Sequence, residues 1–244
     1  MNLDQTNLPK HVAIIMDGNR RWAKAQGKHP VEGHRHVVDH TLEPLVDRCI
    51  ELGISHLTLW AFSTENWDRD KAELNALMQI FRLGFQRKTK NWLMNKNIRI
   101  RVLGELDRFP KDIAESCREW MEESKDNTGM TVTFALNYGG RDEIRRSVNR
   151  AIQAKLGDLS PDESVLGGFQ LSDADIAANL DTADMPDPDL IIRPGGQFRL
   201  SGFMPWQSVY AELYFTDVLM PDFSVEELEK ALADYAQRQR RFGK

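Results

Sequence analysis

The sequence is poor in cysteine, has no long uncharged apolar run and carries no excess of positive charge. Cys49 and Cys117 are its only cysteines, too few for a disulfide framework, which fits a reducing compartment. No stretch approaches the roughly 18 uncharged apolar residues that a membrane span requires. The opening MNLDQTNLPK has no apolar core of signal-peptide length, so a soluble, cytoplasmic protein is expected. Lys and Arg number 32 against 37 Asp and Glu, a net charge of −5, and no nucleic-acid partner is expected from that balance. The sequence also lacks GxGxxG and GxxxxGK[ST], which weighs against a dinucleotide or P-loop nucleotide site.

What is present is ordinary globular material, 41% hydrophobic and 28% charged, which excludes disorder, collagen and coiled coil. Six short apolar runs rich in β-branched and aromatic residues read as strands: His11–Met16, Leu57–Phe62, Ile98–Leu103, Thr131–Leu136, Leu190–Ile192 and Val209–Phe215. Helical patterns separate them. Leu74, Leu77, Met78, Phe81 and Phe85 recur at 3–4 spacing on one face. Gly33–Leu52 reads as helix with Gly53 as its stop, bent or broken at Pro44. Ser224 followed by Glu227 reads as a capping box opening a last helix striped with Leu228, Leu232 and Tyr235. The acidic stretch 181–189 is the best loop, and no linker divides the chain. These features predict one α/β domain, residues 1–244, with a mostly parallel six-stranded sheet covered by helices.

In such a sheet, ligands bind beyond the carboxyl ends of the strands. The first strand runs into Asp17-Gly18-Asn19-Arg20-Arg21-Trp22, which offers a carboxylate, a flexible glycine and two guanidinium groups. A solvated turn is the plain alternative. The second runs into Ser63-Thr64-Glu65-Asn66-Trp67-Asp68-Arg69, which could be a helix cap, although two exposed tryptophans beside arginine-bearing loops suit capping poorly. The fifth runs into Arg193-Pro194-Gly195-Gly196-Gln197-Phe198-Arg199-Leu200-Ser201, where arginine forks match phosphate oxygens. Glu212 stands in the otherwise apolar VYAELYF and needs a cation or a place at the strand's rim. A divalent metal shared with Asp17 would meet both charges, and hard oxygen ligands favour Mg²⁺. His34, His36 and His40 with Asp39 could suggest zinc, but no further ligand completes a signature and surface histidines explain them better; His34 alone is kept as a substrate contact. Cys49 and Cys117 read as packing residues.

HVAIIMDGNRRWAKAQG, LTLWAFSTENWDR, NYGGRDEI, the Arg193–Ser201 loop and AELYFTDVLMPDF together resemble the cis-prenyltransferases, and within them the bacterial undecaprenyl diphosphate synthases, from about Pro9 to Gly243. The resemblance implies a Mg²⁺-dependent, parallel-sheet homodimer that adds isopentenyl diphosphate in cis to farnesyl diphosphate. Its product would be undecaprenyl diphosphate, the lipid-carrier precursor for peptidoglycan and other cell-wall polymers, with peripheral membrane contact for product release. It also implies an apolar tunnel, for which the Leu74–Phe85 face and Val132, Phe134 and Leu136 are candidate walls.

Carried over residue by residue, Asp17 is the metal ligand and catalytic carboxylate, and Glu212 completes the Mg²⁺ site. Gly18, Asn19, Arg20 and Arg21 cradle the allylic diphosphate, with Trp22 and His34 beside them. Ser63, Thr64 and Glu65 line the reacting groups, followed by Asn66, Trp67 and Arg69; Asn66 matches the position labelled proton acceptor. An uncharged amide has negligible basicity, so a diphosphate oxygen is the better base. Arg193, Arg199, Leu200 and Ser201 hold isopentenyl diphosphate. The chain departs from the family at Arg20, where relatives often have glycine, and at Pro30, where many have a phosphate-binding arginine that Lys28 or Arg35 would replace. Gln197, Phe198 and Gly202 also differ, and Phe198 removes a potential metal-side ligand. Two rival readings are a metal-dependent phosphohydrolase and a non-catalytic prenyltransferase subunit. The first needs a second aspartate two positions from the nucleophile, where Ile15 and Asn19 stand, and the second should lack Asp17.

Overall fold

The computed structural model describes residues 7–85, 87–157 and 170–238. In chain order its regular elements are β1 (His11–Ile15), α1 (Asn19–Ala25), α2 (Val31–His36), α3 (Leu42–Glu51), β2 (His56–Ser63), α4 (Lys71–Gly84), α5 (Arg87–Asn95) and β3 (Arg99–Leu103). They continue with α6 (Lys111–Glu123), β4 (Thr131–Tyr138), α7 (Gly140–Gly157), α8 (Asp173–Ala177), β5 (Leu190–Arg193), β6 (Glu212–Phe215) and α9 (Val225–Gln237). The strands form one parallel sheet in the order β3-β4-β2-β1-β5-β6. The expected fold class is therefore the observed one.

Parallel pairing buries both faces of the sheet, and the register shows how. Val102, Phe134, Leu59, Ile14, Ile192 and Tyr214 lie side by side across all six strands. Phe134 through Tyr214 of this row pack into a core with α3, α9, Leu93 and Trp120, while Val102 joins a neighbouring cluster around Phe62. The opposite face carries Ala13, Ile15, Ala135 and Ile191, covered by Tyr138, Phe203 and Met204. The order of strand addition reverses at β1: β2 lies on one side of it and β5 on the other. The loops leaving β1, β2 and β5 thus meet at a topological switch point, the place where an open parallel sheet forms its ligand crevice.

Three local expectations change. The helix through Gly33–Leu52 is interrupted before Pro44: a wider π turn, Val37–Thr41, separates α2 from α3. Pro44 then sits in the first turn of α3, where its missing N–H has no intrahelical partner to lose. The last strand begins at Glu212, and Val209 and Tyr210 are 70% and 62% exposed in the preceding turn. Ser224 caps α9 by accepting from the Glu227 N–H, but Glu227 pairs with Lys230 rather than closing the box. Gly53, with φ +73°, ends α3 as expected. Cys49 and Cys117 are buried, and burial pushes both thiols up to about 12, as packing residues require.

Candidate active site

The loop after β1 turns sharply because Gly18 takes φ +101°, which an L side chain resists, and a Cβ there would meet Leu219 at 2.9–3.1 Å. The turn directs the Asp17 carboxylate across the crevice. Its Oδ1 accepts from the Gly18 N–H at 2.6 Å and from Arg21 at 3.3 Å, and its Oδ2 accepts from Arg193 Nη2 at 2.9 Å. Arg193 ends β5 and is 5% exposed. Its other terminal nitrogen donates to Ser201 Oγ at 2.9 Å and to the Arg199 carbonyl. One guanidinium thereby joins the loops after β1 and β5.

Arg20, Arg21, Lys24, Lys28 and Arg69 surround a polar cavity of ≈530 Å³ whose only carboxylate is Asp17. So high a density of cations around one carboxylate is a phosphate-binding arrangement. Lys24 was not singled out in the sequence, although it follows Arg20 by four residues and shares its helix face. Lys28 donates to Gln26 at 2.7 Å and lies 4.9 Å over the Trp22 ring, in the same cavity as Pro30. Arg35 lines the adjoining cavity instead and pairs with Asp39 at 3.4 Å. Glu73, 7% exposed, anchors Arg69 at 2.8 Å and meets Arg20 at 3.6 Å.

The β2 loop closes as a capping box. Ser63 accepts from the Asn66 N–H, and Asn66 Oδ1 accepts from the Ser63 N–H at 3.0 Å. Asn66 lines the cavity with its Oδ1 already engaged by the loop, which leaves its NH₂ group, a donor, as the part free for a ligand. His34 lies between the two cavities; burial, with repulsion from Arg69 and Arg20, lowers its imidazole to about 4 and keeps it neutral at pH 7. Arg199 is exposed at the mouth, its guanidinium steered by Gln197 Oε1 at 2.6 Å.

This polar mouth belongs to a cavity of ≈790 Å³ whose remaining lining is largely apolar and includes Leu59, Phe62, Leu77, Phe85, Trp92, Leu93 and Trp120. Of the α4 face, Leu77, Phe81 and Phe85 line it and Leu74 and Met78 do not, although all five pack in one cluster with Phe62 and Phe109. Val132, Phe134 and Leu136 all line it, as their shared strand face predicts.

Several predicted site residues lie elsewhere. Trp22 is 6% exposed: its Nε1 donates to Asp222 at 2.7 Å and its ring stacks on His36. Trp67 donates to Asn137 Oδ1 at 2.8 Å and meets Phe62 and Phe109 edge-on. The expected exposed tryptophan pair thus supports the loops from behind. Thr64 abuts Gly139, Glu65 faces solvent, and Leu200 packs beneath the other sheet face; none lines either cavity.

Glu212 is the clearest correction. It starts β6 opposite Leu190, which pairs with Val12, five residues before Asp17. From Val12 to the strand's end at Ile15 is three steps of about 3.3 Å, roughly 10 Å, so Glu212 stands at the amino end of the sheet and Asp17 beyond its carboxyl end. Arg238 meets the Glu212 charge at 2.7 Å. Within one chain the pair cannot share a metal. The His36 and His40 rings are 4.7 Å apart, and among the described residues no group of three or more His, Cys, Asp or Glu could hold a metal ion.

His11, fully buried, and His34, half-buried, give a pH dependence. His11 accepts from Thr58 through Nε2 and donates through Nδ1 to the Pro186 carbonyl, both at 2.8 Å, and burial lowers it to about 4, as it does His34. Both stay neutral in the fold while the unfolded chain protonates near 6.5, so their stabilisation is present above that pH and is lost as pH falls towards 4. Thermal melts should show unfolding coupled to uptake of about two protons in this window, and His11→Gln should flatten the slope by half. An unchanged slope in His11→Gln would count against the buried neutral imidazole.

A family model described as "Putative undecaprenyl diphosphate synthase" matches residues 15–243. Among curated relatives, an isoprenyl transferase of Clostridium perfringens is 44% identical over 99% of this chain and 92% of its own length. One of Aquifex aeolicus is 43% identical over 97% and 96%. Among solved structures, lavandulyl diphosphate synthase from Lavandula x intermedia, in complex with dimethylallyl diphosphate, superposes with a TM-score of 0.89 at 36% identity, covering 99% of this chain and 100% of that one. A probable undecaprenyl diphosphate synthase from Campylobacter jejuni gives 0.78 at 33% identity, over 98% and 100%.

Proposed function

The chain belongs to the cis-prenyltransferase family, and from that premise we propose that it adds isopentenyl diphosphate units in cis to farnesyl diphosphate, ending at undecaprenyl diphosphate for cell-wall polymers. The observation that carries this reading is the junction of a cation-rich cavity with one of ≈790 Å³ that has a polar mouth and a largely apolar remainder. An allylic diphosphate has that shape: a polyanionic head on a hydrocarbon tail.

Arg20, Arg21, Lys28 and Arg69 hold the allylic diphosphate, with the backbone N–H groups that open α1 as further donors. When the allylic C–O bond breaks, negative charge grows on the departing diphosphate, and these fixed donors stabilise it as it forms. Arg199 and Ser201 hold isopentenyl diphosphate so that its double bond attacks the allylic carbon. The proton lost from the new bond passes to a diphosphate oxygen, while the Asn66 NH₂ orients the groups. Mg²⁺ fits this chain as a one-carboxylate site: Asp17 would hold it, since Mg²⁺ commonly takes one or two carboxylates and draws its other ligands from phosphates and water. Bound there, it would supply charge neutralisation for the leaving group.

The enzyme works as a homodimer in this reading, in keeping with Phe198, Val209 and Tyr210, 62–78% exposed near the edge strand β6. No described helix is long and apolar enough to cross a membrane, so delivery of a long apolar product calls for peripheral contact from the cytoplasm. The test is to incubate the purified protein with Mg²⁺, farnesyl diphosphate and isopentenyl diphosphate and resolve the products by length. Undecaprenyl-length product is expected. Products stopping after one or a few additions would overturn the undecaprenyl assignment.

Product length should respond to the β4 wall. Phe134 is half-buried and faces the cavity, and Val132, 0% exposed in the core, lines it as well. Phe134→Ala should lengthen the product with an initial rate within about threefold of the parent. If Phe134 served packing alone, the same change would cost about 3–5 kcal/mol and leave length unaltered. Product sizing beside thermal melts separates the two, and Val132→Ala, another wall candidate on this strand, is run the same way.

A further inference from the structure

The loop from Pro194 to Ala211 that carries Arg199 and Ser201 has no strand or α-helix of its own, and two of its non-glycine residues, Ser201 and Met204, adopt left-handed backbone with φ +53° and +46°. Such conformations persist only where the surroundings over-determine them. The near side is fixed by Arg193. The far side is fixed on the turn that follows β4. Phe203 stacks on Trp60 at 5.0 Å and meets the Tyr138 ring at 6.1 Å. The Gly140 N–H donates to the Gly202 carbonyl at 2.8 Å, and a Cβ on Gly140 would lie 2.0 Å from Pro205.

Beneath this contact lies a polar cluster that the proposed reaction does not use. Glu143 is 0% exposed and its carboxylate has three neutral donors: Tyr138 Oη at 2.6 Å, Gln207 Nε2 at 3.1 Å and the Asp181 N–H at 3.0 Å. Gln207, 1% exposed, also donates to Thr182 Oγ1 at 2.8 Å, while its Oε1 is buried without a partner. A buried carboxylate bonded by no cation, with an orphaned amide oxygen beside it, is a poor arrangement for stability alone; packed apolar residues would serve that purpose better. What it supplies is direction. The Gln207 amide has one orientation that satisfies Glu143 and Thr182, and that fixes where the loop ends relative to β4.

We infer that Gln207 and Glu143 form a latch that positions the Arg199–Ser201 turn for the isopentenyl diphosphate head group. Both are positioning residues: neither lines a cavity, and each acts through the loop. The inference rests on the assignment of that loop to isopentenyl diphosphate, so the experiment tests both separately. Michaelis constants for isopentenyl and farnesyl diphosphate are measured in Gln207→Leu, Glu143→Gln and Arg199→Ala, with circular dichroism confirming the fold. The latch predicts a rise of about tenfold in the isopentenyl diphosphate constant for Gln207→Leu, with kcat and the farnesyl diphosphate constant within about twofold. Glu143→Gln, which keeps the side-chain shape and can still hydrogen-bond Gln207, should retain most of the affinity. If Gln207→Leu does not fold, Tyr138→Phe, which removes one donor from Glu143, should shift the same constant by a smaller factor. An isopentenyl effect in Arg199→Ala without one in Gln207→Leu or Tyr138→Phe overturns the latch. Equal losses for both substrates, or a lowered melting temperature with unchanged constants, also overturn it. No effect in Arg199→Ala overturns the loop assignment itself, and the latch with it.

Discussion

Asp17→Ala should lower turnover by about 10³-fold or more while the protein stays folded. The Asp17 side chain is 29% exposed at the end of β1, so its removal opens no hole in the core. Arg193 keeps Ser201 and the Arg199 carbonyl as acceptors. The stability cost should therefore stay within about 1–2 kcal/mol. Under the proposed function the catalytic cost is of another order, because among the described residues Asp17 is the one carboxylate lining the cation-rich cavity. Without it those cations face one another, and a metal bound with the substrate has no protein ligand there. Asp17→Asn is the informative companion. It preserves size and an acceptor oxygen but not the charge, so it should be nearly as inactive as alanine. Single-turnover rates at saturating Mg²⁺ and both substrates provide the measurement. Parent-like rates in either variant would remove Asp17 from the reaction.

The sequence revealed the places where chemistry gathers better than the direction each side chain takes. Apolar runs mark buried parallel strands, so the ends of β1, β2 and β5 were legible, and with them Asp17, Asn66, Arg69, Arg193 and Arg199. Parallel order also fixes which strand end a residue occupies, but only once the strand's start is known. Glu212 was misplaced because Val209–Phe215 was read as one strand; starting instead at Glu212 puts that carboxylate at the opposite end of the sheet from Asp17. Trp22 and Trp67 lie in polar, arginine-bearing segments, and only tertiary packing shows that their indole N–H groups turn inward to Asp222 and Asn137. The Glu143–Gln207 contact joins residues 64 positions apart and follows no period, so nothing local could announce it.

Arg193→Lys should keep the fold and the charge yet lower turnover by about 10²–10³-fold. Arg193 binds three acceptors on two loops: Asp17 Oδ2, Ser201 Oγ and the Arg199 carbonyl. A planar guanidinium reaches them from two fixed nitrogens; a lysine offers one compact ammonium and cannot span the same separation. The variant should therefore weaken the use of both substrates, in contrast to Arg199→Ala, which should affect isopentenyl diphosphate alone. Stability should fall by about 1–3 kcal/mol, since buried acceptors lose a charge-assisted partner. Combining Arg193→Lys with Asp17→Asn decides how the pair works. If Arg193 acts by holding the Asp17 carboxylate in place, the second change should add little to the first, as for residues that operate as one unit. Losses that multiply in full would mean that Arg193 and Asp17 serve separate steps, and that the contact between their loops is architecture without a catalytic consequence.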